Sequence, residues 1–293
     1  MQFRLEGMYA SMITPFTCKG IVDADGLRAS VDFLVENEVH GVLCLGGTGE
    51  VVCLSRNERE EVMDIVIDQV NSRVPVVVGA IEISTAQVAK LGKEAENAGA
   101  DAVMIVPPYF VYSTLESVFK HCKTIAETID LPMILFHTPK RSGVTLNLDT
   151  IVKILEIDNF VGIKDSSRDL VLLQELRKAS KGASILTGLD ELVFATLAVG
   201  GDGAIITGVN LLPEKWVDLF NEFRRGGIQK AREIQFELMP LIRALGIEPN
   251  PTPVKTALNL IGRPAGPVRA PLLPMSDENK EKLKNAMISS GLL

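Results

Sequence analysis

In the stretch VGIKDS, residues 161–166, a lysine follows directly after an apolar run. A charged side chain in such surroundings indicates a structural or chemical role. Confinement in a partly dry pocket lowers the pKa of an ammonium group, because loss of water disfavours the charged form. The neutral amine of Lys164 could then attack a carbonyl and form a Schiff base, which draws electrons from the neighbouring carbon bond. The alternative is that Lys164 pairs with a carboxylate such as Asp165 or extends to solvent, and position alone leaves the two about equal.

A glycine-rich loop, LGGTGEV at residues 45–51, is a second candidate for chemistry. Glycines allow backbone N–H groups to converge on an anion, and the hydroxyl of Thr48 can add a donor, so a carboxylate would fit. The loop has neither the lysine of a Walker motif nor GxGxxG spacing, which argues against a nucleotide site. A tight turn that needs glycine for steric reasons explains such a loop at least as often.

Composition excludes several other functions. The chain has 293 residues, 46% of them apolar, a net charge of -7 and no basic tract, which predicts a globular protein that does not bind nucleic acid. No apolar run reaches the roughly 18 residues that a membrane span needs. We therefore expect a soluble, cytoplasmic protein with no membrane partner. The four cysteines form no CxxC pair and the three histidines lack ligand spacing, so no metal site is predicted.

Short apolar runs alternate with amphipathic stretches along most of the chain. Helix-start signals, such as Ser55 with Glu58 and Ser113 with Glu116, lie between the runs. VPVVVGA and DAVMIVP lack polar alternation, which is typical of parallel strands covered by helices on both faces. The pattern predicts an α/β fold, a (β/α)8 TIM barrel, with an open doubly wound sheet as the weaker alternative. The eight predicted strands are residues 8–14, 41–45, 74–80, 102–106, 132–137, 160–164, 184–187 and 204–207.

Four further helical patterns follow the eighth run, at residues 213–225, 228–245, 252–261 and 276–289. A barrel needs only one of them. We therefore predict a barrel over residues 1–225 and a C-terminal helical extension over residues 226–293. Because catalytic side chains in such barrels project from the C-terminal ends of strands, Lys164 occupies a functional position, and strand alternation places it inward together with Gly162.

Several motifs together resemble the dihydrodipicolinate synthase/N-acetylneuraminate lyase family of pyruvate-dependent class I aldolases. The resemblance covers almost the whole chain, and the combination is specific although no single motif is. The motifs are ITPF (13–16), GGTGE (46–50), PPYF (107–110), TPKRSG (138–143), GIKDSS (162–167), TGLDE (187–191) and NPTPVKTALNLIGRPAGPVRAPLLP (250–274).

The resemblance implies a role for particular residues. Lys164 would form an imine with pyruvate or another 2-oxo acid and would need no further cofactor. Gly47 and Thr48 would bind the carboxylate of that acid, and Ile206 would line the pocket. Arg141 would bind the carboxylate of a second substrate, aspartate semialdehyde, for which a planar guanidinium is suited. The resemblance also implies a homotetramer built as a dimer of dimers.

Three departures from the family pattern concern one proton relay. Phe136 stands where the family carries a tyrosine, and Gly47 and Phe110 stand where dihydrodipicolinate synthases carry its threonine and second tyrosine. A phenyl ring cannot exchange a proton, so a contribution of roughly 10²- to 10⁴-fold must come from elsewhere or be absent. His137 could replace it only if the strand bends into the loop, the alternative being a histidine bonded behind the barrel. Tyr109 is a further candidate.

These departures leave the reaction open. The main hypothesis is a Schiff-base lyase or aldolase with atypical acid–base chemistry and a carboxylate-bearing second substrate. The alternatives are a dehydratase or decarboxylase of 2-oxo acids that uses the same imine, or a 2-oxo-acid binding protein with little turnover.

Overall fold

The structure is a computed structural model that describes residues 4–180 and 182–293. Within these residues it contains eight strands: β1 (Gly7–Ser11), β2 (Gly41–Cys44), β3 (Val76–Gly79), β4 (Ala102–Ile105), β5 (Met133–His137), β6 (Phe160–Asp165), β7 (Ser184–Thr187) and β8 (Gly203–Ile206). They form a closed barrel in chain order. The pairs β1–β2 and β3–β4 through β7–β8 are parallel. The predicted TIM barrel is therefore confirmed, and the open sheet is excluded.

Helices follow the strands and extend beyond the last one. Ser55 caps the second helix as predicted, because its hydroxyl accepts the N–H of Glu58 while the Glu58 carboxylate accepts the N–H of Ser55. The fourth helix begins later than predicted, since Thr114 rather than Ser113 is the capping residue and accepts the N–H of Ser117.

No helix of the described ranges is long and apolar enough to cross a membrane. The helices are α1 (Ala24–Glu36), α2 (Arg56–Val70), α3 (Thr85–Ala98), α4 (Leu115–Ala126), α5 (Pro139–Ser142), α6 (Leu148–Leu155), α7 (Leu170–Ala179), α8 (Val193–Ala198), α9 (Pro213–Arg224), α10 (Ile228–Leu245), α11 (Thr252–Leu260) and α12 (Asp277–Ser289).

Strand β6 carries the lysine that the sequence singles out, and its register with β5 positions the residues around it. Phe136 pairs with Lys164, and His137 pairs with Asp165. Because side chains at paired positions of parallel strands point to the same face, Phe136 and Lys164 share one side of the sheet, and His137 and Asp165 share the other. Both strands are almost wholly buried.

The C-terminal part of the chain is helical, as predicted, in α9 to α12. Contacts divide the chain into two compact units, one of Met1–Gly7 with Pro75–Ile205 and the other of Met8–Val74 with Ile206–Leu293. The boundary at residues 225 and 226 between a barrel and a helical extension stays a prediction.

Candidate active site

Lys164 lies inside the first unit and is only 5% exposed. Its Nζ lies 4.5 Å from the centroid of the Phe136 ring, which covers one side of the amine. Within residues 4–180 and 182–293, no carboxylate forms a salt bridge with Lys164. Asp165, the partner that the alternative interpretation requires, instead binds His137 and Ser167. Within the described ranges, Lys164 is therefore a buried amine that makes no direct ion pair.

This burial changes the ionisation of the lysine. Loss of water is the largest cause and lowers the pKa of Lys164 to about 7. The positive charge of Arg141 lowers this pKa further, and the negative charge of Asp190 opposes the shift. A substantial fraction of Lys164 is consequently a neutral amine near neutral pH, which is the form that can attack a carbonyl group.

The opposing effects of Arg141 and Asp190 predict opposite shifts in the pH dependence of any reaction of Lys164. In wild type, the rate of amine attack rises with pH through a midpoint near pH 7, because the neutral form accumulates there. Arg141→Leu should raise the midpoint and Asp190→Asn should lower it. Arg141 is exposed, so solvent and salt screen its charge and each shift should be less than about one pH unit. The measurement is the rate of borohydride trapping of pyruvate on Lys164 between pH 5.5 and 8.5, which needs no second substrate. Two shifts in the same direction would contradict this electrostatic account.

Phe136 fills the position next to the amine without offering a hydroxyl. It is buried and contributes only its ring face to Lys164. Phe110 is 95% exposed, and Tyr109 beside it is partly buried. The side chains at positions 136 and 110 therefore supply neither a proton donor nor a proton acceptor.

His137 is held on the opposite side of β5 and is fully buried. Its Nε2 accepts the backbone N–H of Leu146 at 3.2 Å, so Nδ1 must carry the ring proton of the neutral imidazole and donate it to Asp165 Oδ1 at 2.7 Å. Asp165 is held in turn by the hydroxyl and the N–H of Ser167. The geometry favours a histidine bonded behind the barrel, and we do not propose His137 as the proton carrier.

The glycine loop lies in the second unit and follows β2. Backbone N–H groups of Gly49, Glu50 and Val51 turn back onto carbonyls of the same loop. Among the described residues, the N–H groups of Gly47 and Thr48 find no acceptor, although Thr48 is buried. Two neighbouring unpaired donors are what an anion such as a carboxylate would satisfy.

The Thr48 hydroxyl is the centre of a polar cluster within the same unit. Ser11 Oγ donates to Thr48 Oγ1 at 3.2 Å, and Asn250 Nδ2 donates to it at 3.0 Å. Both lone pairs of the oxygen are then occupied, so its single proton points to Thr207 Oγ1, 3.0 Å away. Three side chains from distant parts of the sequence therefore hold this hydroxyl in one orientation.

The other predicted site residues divide between the two units. Arg141 lies on the short helix α5 in the first unit, where its charge acts on Lys164. Ile206, the last residue of β8, belongs to the second unit and is buried.

No group of three or more histidine, cysteine, aspartate or glutamate side chains in the described ranges could hold a metal ion.

Comparison with known proteins decides the family. The model of the dihydrodipicolinate synthetase family matches residues 4–289. The 4-hydroxy-tetrahydrodipicolinate synthase of Methanocaldococcus jannaschii is 42% identical to this chain over 290 residues, which cover 98% of this chain and 99% of that protein. The chain belongs to the dihydrodipicolinate synthetase family.

Solved structures of the family agree with this assignment. The dihydrodipicolinate synthase of Thermotoga maritima has a TM-score of 0.96 to this chain at 35% identity, covering 99% of this chain and 100% of that one. A chloride-inhibited dihydrodipicolinate synthase from Acinetobacter baumannii, complexed with pyruvate, has a TM-score of 0.96 at 33% identity and covers 98% and 99%. The chain is accordingly an enzyme, a lyase of the Schiff-base-forming, metal-independent class to which this family belongs.

Several residues around the family site had no role assigned from sequence. Asn250 lies in the NPTPVK motif and Asp190 in the TGLDE motif, so the motifs marked both positions without indicating their partners. Asn250 contacts Thr48 across 202 positions of the chain, and Asp190 acts on Lys164 through space. Such interactions join residues that are far apart in the sequence, and no local pattern encodes them.

Proposed function

We propose that this protein is a Schiff-base aldolase that binds pyruvate or another 2-oxo acid through Lys164 and joins it to an aldehyde that bears a carboxylate. One observation carries the proposal: Lys164 is a buried amine with a pKa lowered to about 7 and no direct ion pair among the described residues. Support also comes from the names of the relatives described above, all of which are synthases of the dihydrodipicolinate group.

The first half of the reaction follows from the state of this amine. Neutral Lys164 attacks the keto carbon of pyruvate, one proton is taken up from solvent, and the keto oxygen leaves as water, so a protonated C=N double bond replaces the C=O double bond. The protonated imine then withdraws electrons from the adjacent carbon, the methyl group loses a proton, and an enamine forms. The enamine carbon attacks the aldehyde of the second substrate. Burial excludes bulk water that would otherwise keep the lysine charged.

Binding of both substrates needs positive or donor groups for their carboxylates. The free N–H groups of Gly47 and Thr48 are our candidates for the carboxylate of the 2-oxo acid. Arg141 is the candidate for the carboxylate of the aldehyde, which would be aspartate semialdehyde by the resemblance, because a guanidinium can donate two parallel hydrogen bonds. Ile206 would provide apolar contact. A homotetramer in the cytoplasm stays part of the proposal.

Trapping the imine tests the proposal. Incubation with pyruvate and sodium borohydride should add a reduced pyruvate group to the peptide that carries Lys164, as read by peptide mass. Lys255 is an internal control, because it is also a buried lysine but is hydrogen-bonded to Glu50 at 2.6 Å and should stay unmodified. Supply of aspartate semialdehyde before the borohydride should then lower the trapped fraction.

An unmodified Lys164 would overturn the imine chemistry. Modification of both lysines would show that borohydride trapping reports general amine reactivity. If aspartate semialdehyde leaves the trapped fraction unchanged, the result would favour the dehydratase, decarboxylase or binding-protein alternatives. No contact among the described residues supports those alternatives.

A further inference from the structure

The missing tyrosine hydroxyl raises the question of which group moves protons beside Lys164. We propose that the Ser166 hydroxyl is the proton carrier for imine formation on Lys164. This inference rests on the proposed function and adds to it a catalytic residue two positions beyond the lysine. Ser166 is the first residue after β6, and continuation of the strand's alternation would return it to the side of Lys164.

The space at Gly188 brings Ser166 and Lys164 together. A β-carbon added to Gly188 would lie 2.3 Å from Ser166 Oγ and 2.7 Å from Lys164 Cε. These two distances bound the separation of Oγ and Cε at about 5 Å, and Nζ is one bond beyond Cε. The glycine N–H also donates to Asp165 O at 2.7 Å, which ties the end of β7 to the end of β6. Only glycine leaves room for both groups at this point.

The Ser166 hydroxyl is free, whereas its neighbour is not. Among the described residues, Ser166 Oγ makes no hydrogen bond. Ser167 Oγ donates to Asp165 Oδ2 at 2.8 Å and accepts the N–H of Asp169 at 3.1 Å. Ser166 is also half-buried, next to a lysine that is almost fully buried. Among the described residues no hydrogen bond joins Ser166 Oγ to Lys164 Nζ, so the transfer that we propose is to a substrate bound at the amine, with solvent on the other side of the hydroxyl.

Other groups near the amine are less suited. Phe136 has no exchangeable proton, and both ring nitrogens of His137 are engaged. The Asp165 carboxylate is bound by His137 and Ser167 on the other side of β6. Asp190 acts electrostatically on Lys164, as Arg141 does with the opposite sign. The test therefore includes Asp190.

The proposed step keeps its atoms and charges balanced. When the amine nitrogen bonds to the keto carbon, the nitrogen carries an extra proton and the former keto oxygen a negative charge. Ser166 Oγ gives its proton to that oxygen and takes one from the nitrogen, which leaves a neutral carbinolamine. A solvent proton then converts the hydroxyl into leaving water. In total one amine, one ketone and one proton give a protonated imine and water, and Ser166 ends as it began.

Rapid-quench trapping of pyruvate with borohydride measures this step directly. In Ser166→Ala the rate of imine formation should fall by about 10- to 100-fold, while the final trapped fraction stays near wild type, because the amine and the carboxylate contacts are intact. Ser166→Thr keeps a hydroxyl and should stay within a few-fold of wild type. Ser167→Ala is the matched neighbour and should also stay within a few-fold. If Ser166 acted only in packing, its loss would not lower the rate of imine formation while leaving the final trapped fraction unchanged.

Each contrary result has a distinct meaning. An unchanged rate in Ser166→Ala would overturn the inference while leaving the proposed function in place. An equal loss in Ser167→Ala would assign the effect to the loop, and a loss in Asp190→Asn alone would assign proton transfer to that carboxylate; either result overturns the inference. Wild-type protein that traps no pyruvate would remove the proposed function and the inference together.

Discussion

Lys164→Met is expected to abolish pyruvate trapping and to reduce kcat/KM by at least about 10³-fold, because no imine can form without the amine. Methionine is the substitution of choice, since its unbranched chain fills a similar volume beside Phe136. Residual aldol formation would then depend on substrate binding alone. The measurement is steady-state product formation, together with peptide mass after borohydride treatment.

The same substitution should stabilise the fold. Lys164 has a folded-state pKa near 7 against an ordinary value of 10.5, so the charged form is disfavoured in the folded protein. This cost is fully present below pH 7, shrinks as pH rises between the two values, and disappears above pH 10.5. Lys164→Met should therefore raise the free energy of unfolding at pH 6 by an amount on the order of 5 kcal/mol. The gain should fade toward pH 10.

Loss of activity with loss of stability would contradict this account. If Lys164→Met is less stable than wild type, the charged amine must make a favourable contact in the folded protein, with water or with an opposite charge. The buried environment described above includes no such contact. Denaturant unfolding at pH 6 and pH 10, at one protein concentration, distinguishes the two outcomes.

Much of the fold could be predicted because it depends on local patterns. Apolar runs without polar alternation mark strands that are covered on both faces, and this rule found all eight strands to within a few residues. β6 ends one residue later than predicted, at Asp165 instead of Lys164. The start of α4 was one residue off because Ser113 and Thr114 are both good capping residues, and the hydrogen bond from Ser117 N–H selects Thr114.

The partners in the site could not be predicted in the same way. The fixed tautomer of His137 depends on Leu146, which lies nine positions away in a loop with no regular geometry. The meeting of Ser166 and Lys164 depends on Gly188 at the end of the next strand. The sequence indicated which residue types could take part in chemistry. The contacts made in the folded chain determine which of those side chains are already hydrogen-bonded and which are not.

A second buried lysine provides the opposite case to Lys164. Lys255 Nζ donates to Glu50 Oε1 at 2.6 Å and to Pro267 O at 2.9 Å, and it lies 4.0 Å from the centroid of the Phe16 ring. Burial lowers the pKa of Lys255 to about 8, although the negative charge of Glu50 opposes the shift. Both charged side chains of this pair are almost fully buried.

Lys255→Met relieves the cost of burying the lysine charge, but it also leaves the buried Glu50 carboxylate without its ion-pair partner. The second effect should dominate and destabilise the protein by about 3 to 5 kcal/mol. Among the described residues, Glu50 would keep the Arg269 backbone N–H at 2.8 Å and the attraction of the Arg269 charge, whose guanidinium is itself paired with Glu58. The measurement is the midpoint of denaturant unfolding at pH 7, compared with Lys164→Met in the same buffer. The identical substitution at two buried lysines is thus expected to change stability in opposite directions.

A double-mutant cycle separates the loss of the pair from the loss of lysine packing. Glu50→Gln removes the charge and keeps an oxygen for the Arg269 N–H, so Glu50→Gln combined with Lys255→Met should be more stable than Lys255→Met alone. Glu50 ends the glycine loop in a left-handed conformation at φ 54°, so the pair also anchors the segment that contains Gly47 and Thr48. If the double variant is as unstable as Lys255→Met, the stabilisation comes from packing of the lysine stem against Phe16, and the ion pair contributes little.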